Sequence, residues 1–258
     1  MIKISSMRLT DEQVEHYLTQ GYVVLPALIE KDALARYNER FESIVMGEAE
    51  LAPGMKIMQD VMVVKGAVRP LTPIHAVNKM LCLEEDPLLF DFASHAALVG
   101  AVQSLLGEHL YSLSSNVFNK PPGVDGKHPL HQDLRYFKMG PADKIVGVWT
   151  AMLPATRESG CLSVIPGSHL QGLRSHENPD WEFVNHGFFG IEDVDLLERL
   201  HVELQPGDTL LFHPLLIHGS GTNKSVHFRR AISVHYAAAD CISEKGDWRT
   251  NPFTRPIC

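Results

Sequence analysis

Hydrophobic and polar positions change rhythm along this chain. Val14, Tyr17 and Leu18 recur at helical spacing behind Thr10-Asp11-Glu12-Gln13, a capping-box pattern. This predicts a first helix, with Gly21 as its stop. Tyr22-Val23-Val24-Leu25 then reads as a short strand. Residues 31 to 47 predict a second amphipathic helix, and residues 87 to 106, rich in Leu, Ala and Phe, a third that ends at Gly107. Near residue 109 the period shortens to two. Strands are predicted over Leu110 to Phe118, Lys144 to Met152, Leu162 to Ile165, Leu200 to Leu204, Thr209 to His213 and Arg230 to Ala237. Turn clusters separate them: Pro121-Pro122-Gly123, Pro166-Gly167-Ser168, Pro206-Gly207-Asp208 and Gly219-Ser220-Gly221. Short strands so punctuated predict an antiparallel sandwich or barrel. The expected fold is mainly β with flanking α: a double-stranded β-helix, or jelly roll, with the N-terminal helices on one sheet. A single domain is the simplest organisation, with residues 1–108 as mostly helical support, 109–241 as the jelly-roll core and 242–258 as a C-terminal tail.

Composition narrows the class. With 258 residues and 45% hydrophobic content, the chain can bury about 75% of its unfolded surface. A net charge of -8 without a basic run argues against a nucleic-acid partner, which needs clustered Lys and Arg. No apolar run reaches the roughly 18 residues of a membrane span, so no membrane is expected. The opening MIKISSMRLT shows no apolar signal core, and the closing TRPIC is neither a peroxisomal tripeptide nor a prenylation box. Cys82, Cys161, Cys241 and Cys258 form no C-x-x-C pair, which suits a reducing, cytoplasmic setting. The 14 histidines raise the prior for a metal site.

Candidate chemistry begins at His128-Pro129-Leu130-His131-Gln132-Asp133. Residues i and i+2 of a strand share a face, so His131 and Asp133 would present an imidazole and a carboxylate side by side. A third ligand must come from elsewhere. Leu210 to Gly221 offers two: His213, held extended by Pro214, and His218, followed by the permissive Gly219. Two His and one carboxylate on one face make the facial triad of non-haem iron oxygenases, which leaves three positions open. The set alone also fits zinc, manganese or a cupin-type isomerase. Arg229, eleven residues after His218, starts a strand on which Arg229, Ala231 and Ser233 share a face. A cosubstrate chelating iron at one end needs a cation for its far carboxylate, and arginine supplies a two-pronged one. Ser220 could add a hydroxyl there. Arg230 would point the other way, to solvent. Taken singly, each feature has a plain reading: chance H-x-D matches are common, a strand-opening arginine is usually at the surface, and Trp149 suits a core. Lys65 suits an exposed strand end. Their order and spacing favour chemistry.

Several stretches resemble the phytanoyl-CoA dioxygenase family. They are Asn119-Lys120-Pro121-Pro122, the run His128 to Phe137, Trp149-Thr150-Ala151-Met152, Gly160-Cys161-Leu162 and Pro166-Gly167-Ser168-His169. The run Phe212 to Gly221 follows, continuing through Asn223-Lys224 and Phe228-Arg229 to Ala231-Ile232-Ser233. The likeness covers residues 109 to 241 well and the N-terminal helices loosely. It implies a double-stranded β-helix using iron(II), 2-oxoglutarate and dioxygen. It implies His131, Asp133 and His218 as ligands, selecting His218 over His213, and Arg229 for the distal 2-oxoglutarate carboxylate. By position it implies Lys65, Asn116, Gln132 and Trp149 as further 2-oxoglutarate neighbours. Related halogenases replace the carboxylate ligand by a small residue; Asp133 is present, so hydroxylation is expected. Peroxisomal relatives carry an N-terminal import signal, which Arg8-Leu9 with an out-of-register His16 does not match. The expected substrate is a small organic molecule, with a CoA thioester as one candidate and Lys120, Lys127 and Lys138 as a thin basic set for it. A cupin-like isomerase or hydrolase, and an idle binding module on the same fold, are the alternatives.

Overall fold

The computed structural model describes residues 7–124, 126–185, 187–192 and 194–258. Residues 1–6, where part of the signal-peptide reading falls, lie outside them, as do single positions in the loops 121–128 and 170–195. The first helix is Asp11–Gln20, with the Thr10–Gln13 capping box formed and Gly21 in the left-handed region at φ 81°. A Cβ at Gly21 would sit 2.5 Å from the His169 ring, so space and backbone both require glycine there. The second helix is Lys31–Val45. The third predicted helix is broken: Pro87–Phe90, a 3-10 turn at Asp91–Ser94, and Ala96–Leu106, with a 46° bend between the two parts. His95 is extended at the break, and its Nε2 bonds the Glu30 carboxylate at 3.1 Å, a contact that sequence periodicity does not contain. No single described helix is long and apolar enough to cross a membrane.

The described residues up to 108 supply three strands, β1 (Tyr22–Leu25), β2 (Lys56–Gln59) and β3 (Val77–Leu81). Then come β4 (Leu110–Lys120), β5 (His128–His131), β6 (Met139–Gly140), β7 (Ile145–Ala151) and β8 (Leu162–Val164). The series ends with β9 (Leu200–Val202), β10 (Thr209–Phe212), β11 (His218–Ser220), β12 (Arg229–Ala238), β13 (Ile242–Ser243) and β14 (Arg255–Pro256). The large sheet runs β1-β10-β7-β12-β4-β3-β2, and the small one β5-β11-β8-β9. From β4 to β12 the antiparallel chain passes repeatedly between the two sheets, with β8 and β9 consecutive in the small one and β6 paired apart with β13, which is the jelly-roll arrangement expected from the turn spacing. β11 falls where the sequence shows only a turn cluster, because its pairing to β5 and β8 is what makes it a strand.

The large sheet is buried on both faces. Val146, Val148, Ile232, Val234 and Tyr236 pack outward under the helices with Leu34, Phe41 and Leu98. Trp149, Ala151, Leu210, Phe212 and Ala231 pack inward, between the sheets. Each such large side chain contributes about 1.5–3 kcal/mol by leaving water. Double coverage also corrects the expectation for Arg230. It does leave the site face, but the helix layer covers it and leaves it 1% exposed. Its guanidinium bonds Glu42 at 2.7 Å and Asn38 at 2.9 Å and lies over the Phe41 ring, tying the second helix to the sheet.

Candidate metal and cosubstrate site

The site lies between the sheets, where β5 and β11 pair with His131 opposite His218. Gln132 is extended and a 3-10 turn starts at Asp133, so His131 and Asp133 share a face, as the spacing predicts. The ligand atoms of His131, Asp133 and His218 lie within 4.8 Å of one another, and all three residues are buried. His131 Nδ1 donates to the Pro129 carbonyl at 2.8 Å and His218 Nδ1 to the Leu216 carbonyl at 3.0 Å. Each proton is therefore held on Nδ1, and each Nε2 presents a lone pair. Those nitrogens face the Asp133 carboxylate at 3.1 Å and 3.7 Å. Acceptors so crowded, away from water, are suited to a cation among them. Electrostatics favour the ligating forms of His218 and Asp133. Burial, reinforced by neighbouring His131, pushes the His218 imidazole down to about 4. Burial alone would raise the Asp133 carboxyl, but the neighbouring His218 and His235 and the hydrogen bond from His235 outweigh it and keep it well below the usual range.

Arg229 enters the same cavity from the first residue of β12. It is 3% exposed, and its guanidinium lies 5.4 Å from the Trp149 ring centroid. One Nη2 reaches the Gly160 carbonyl at 3.1 Å and Ser220 Oγ at 3.5 Å, while the buried Nε makes no hydrogen bond among the described residues. Burial pushes this guanidinium down to about 10. A buried cation with an unused N–H prong is suited to a carboxylate guest. Lys120 Nζ donates to Ser220 Oγ from the other side at 2.9 Å.

The cavity holds about 330 Å³ and is lined by the three ligand candidates, Arg229, Ser220, Trp149 and Asn116, with Leu81, Phe118, Phe137 and Phe188 as apolar wall. Two predicted neighbours are placed elsewhere. Lys65 is exposed, donates to the Glu182 carbonyl at 2.8 Å and lies over Phe183. The position that does enter the cavity is Lys79, on β3, a strand that local periodicity does not reveal. Its ammonium stands 4.5 Å from the Phe118 ring centroid. Gln132 is fully buried but turned away from the cavity. Its side chain spans the carbonyls of Leu215 and Gly172 and the Arg174 N–H, bracing the segment that carries His131 and Asp133. His213 also lies outside, bonded to Asp143 at 3.0 Å.

Sequence reasoning overlooked Lys79 and His235, and took Lys120 only as a coenzyme A candidate. The alternation that singles out Arg229 and Ser233 continues to His235, so that signal was present. His235 Nε2 donates to Asp133 Oδ2 at 2.7 Å. Gly147 lies in register between Phe212 and His235. A Cβ there would meet the Phe212 ring at 2.5 Å, so glycine admits the aromatic that packs on His218 and His235.

Comparison with known proteins agrees with this picture. The family model described as "Phytanoyl-CoA dioxygenase (PhyH)" matches residues 17–231. A probable phytanoyl-CoA dioxygenase of Caenorhabditis elegans is 39% identical over 240 residues, covering 90% of this chain and 76% of that protein. The human peroxisomal phytanoyl-CoA dioxygenase is 39% identical over 250 residues, covering 94% and 73%. Among solved structures, the non-haem α-ketoglutarate-dependent carbocyclase SnoK superposes with a TM-score of 0.69 at 20% identity, covering 97% of each chain. EvdO2 of Micromonospora carbonacea, solved with 2-oxoglutarate, gives 0.69 at 18% identity, covering 91% of this chain and 93% of that one. At such identities the structures speak for the fold.

Proposed function

The chain belongs to the phytanoyl-CoA dioxygenase family, and from that premise we propose which residues of this 2-oxoglutarate-dependent non-haem iron dioxygenase carry its chemistry. His131, Asp133 and His218 hold iron(II). Arg229, with Ser220, grips the distal carboxylate of 2-oxoglutarate, and Trp149 and Asn116 wall the cosubstrate. One observation carries the reading: three buried ligand atoms face one another beside a buried arginine with an unused N–H. Iron(II) and 2-oxoglutarate supply the oxidation, in which dioxygen puts one atom into a C–H bond and the other into succinate as carbon dioxide leaves. The chain's own part is to orient and to exclude water. The two backbone carbonyls fix the imidazole tautomers, Gln132 braces the ligand segment, and the aromatic wall keeps the cavity dry. No side-chain acid or base is needed at the reacting carbon.

Lys79 adds a second cation to the cavity, and burial lowers its ammonium to about 8. It is charged below that pH and neutral above it, so 2-oxoglutarate affinity should fall as pH rises through about 8. Calorimetry with Mn(II) in place of iron should show this weakening in the wild type and a flat profile in Lys79→Met. A flat wild-type profile would remove Lys79 from the cosubstrate site.

For the primary substrate we propose a branched acyl-CoA. Support comes from the identity to phytanoyl-CoA dioxygenases and from the apolar wall. A second cleft of about 550 Å³ shares His128 and Ser220 with the inner cavity and carries Pro129, Leu130, Trp181 and Ile191, giving a chain room beyond the reacting carbon. Of the lysines considered for coenzyme A, Lys120 is turned inward to Ser220, whereas Lys127 lies over Trp181 at that cleft. We read the chain as one dioxygenase domain, because residues 1–108 add strands to the same sheet and Lys79 to the same cavity. All four cysteines are free, which fits the reducing cytoplasm we propose as its location. The test is an anaerobic titration with iron(II) and 2-oxoglutarate, followed by a panel of acyl-CoAs scored by succinate release. A saturable visible charge-transfer band that is lost in His218→Ala, and succinate formed with branched acyl-CoAs, are the expected results. No band would turn the triad over to another metal and a cupin-type isomerisation. A band with no acyl-CoA turnover would reject the substrate alone.

A further inference from the structure

We propose that His235 is a positioning residue for the metal: its Nε2–H holds the Asp133 carboxylate so that it faces the two ligand imidazoles. The inference rests on the reading of Asp133 as a metal ligand. His235 Nε2 lies 2.7 Å from Asp133 Oδ2, shorter than either contact of Asp133 with His131 or His218. An ionised carboxylate only accepts, so the proton of this bond belongs to His235. The other ring nitrogen, Nδ1, is 3.2 Å from Ser114 Oγ on the neighbouring strand, which donates to it and completes a chain Ser114–His235–Asp133. The ring cannot turn away. It packs against Phe137 at 4.9 Å and Phe212 at 6.0 Å between ring centroids, and its side chain is 12% exposed.

Asp133 needs such a partner. It lies at the start of a 3-10 turn, beyond the last residue of β5, so no ladder bonds on both sides fix its direction as they do for a residue within a strand. His131 and His218 each have a backbone carbonyl behind them; among the described residues, His235 performs that service for the carboxylate. Engaging Oδ2 also leaves Oδ1 as the less encumbered oxygen, which favours one-oxygen ligation and keeps positions open for cosubstrate and dioxygen. Outer partners of this kind typically change metal affinity by about 10–100-fold.

The test is Mn(II) affinity of the full-length protein, read by loss of the free-ion electron paramagnetic resonance signal, without turnover. His235→Leu should weaken Mn(II) by about 10–100-fold with little change in apoprotein melting temperature, and His235→Gln, which restores an N–H donor, should recover most of the loss. Wild-type affinity in His235→Leu, or a Gln variant no better than Leu, overturns the proposal. Asp133→Ala separates the two readings. If it loses Mn(II) while His235→Leu does not, only the positioning role falls; if it binds normally, the metal-site reading falls and the proposal with it. Should His235→Leu fail to fold, Ser114→Ala decides, with several-fold weaker Mn(II) expected and unchanged affinity overturning the proposal.

Discussion

Asp133→Ala is expected to abolish hydroxylation, with the rate of substrate-coupled succinate release falling by about a thousandfold or more. On the proposed reading the site holds one carboxylate ligand and two imidazole ligands, and all three residues are buried. Removing the anion leaves a divalent ion facing only neutral groups in a dry cavity, at a cost of several kcal/mol, and about 1.4 kcal/mol is a factor of ten in rate. The change also strands the His235 N–H, which has lost its acceptor. Two measurements check this: the visible band formed anaerobically with iron(II) and 2-oxoglutarate, and succinate release in air. The band should weaken or need far more iron, and turnover should vanish. Chloride could enter the vacated position, so both are best run in chloride-free buffer. Full turnover in this variant would remove Asp133 from the metal.

Arg229→Leu is expected to raise the dissociation constant for 2-oxoglutarate by about 100-fold or more while leaving the fold intact. Two charge-assisted hydrogen bonds to a carboxylate are worth about 1.5–3 kcal/mol each, and the cavity excludes the water that could replace them. The stability arm has the opposite sign from most arginine losses. Arg229 has no carboxylate partner among the described residues, and burial opposes its charge. The apoprotein of Arg229→Leu should therefore melt at the same temperature as wild type or higher. By contrast, loss of Arg230 breaks the bond to Glu42 and should lower the melting temperature without touching 2-oxoglutarate. A normal dissociation constant in Arg229→Leu would pass the distal carboxylate to Lys79 or Lys120.

Much of the site is local in the sequence and was legible there. His131 and Asp133 are two residues apart on an extended segment, and Arg229 opens a strand whose alternation a reader can count. The same alternation runs on to His235, whose role was missed because nothing along the chain says that position 235 faces position 133. Lys79 is harder. β3 is a strand by virtue of its pairing with β2 and β4, and Lys79 lies opposite Phe118, which lies opposite Ala231. That row across three strands puts its ammonium inside, whereas Lys65, chosen by looser resemblance, follows a single helical turn, Val61–Val64, on the surface.

The sequence by itself determined the period-two β core, the first two helices and the order of the candidate ligands, and its resemblance to a family pointed to His218. These depend on neighbours within a strand or a turn, where spacing and geometry are tied by the backbone. Tertiary structure decided which cations face the cavity, that Arg230 is buried under a helix, that the third helix breaks at His95, and that His235 backs Asp133. Each of these depends on strand register or layer packing between segments far apart in the chain, and neither follows from local periodicity.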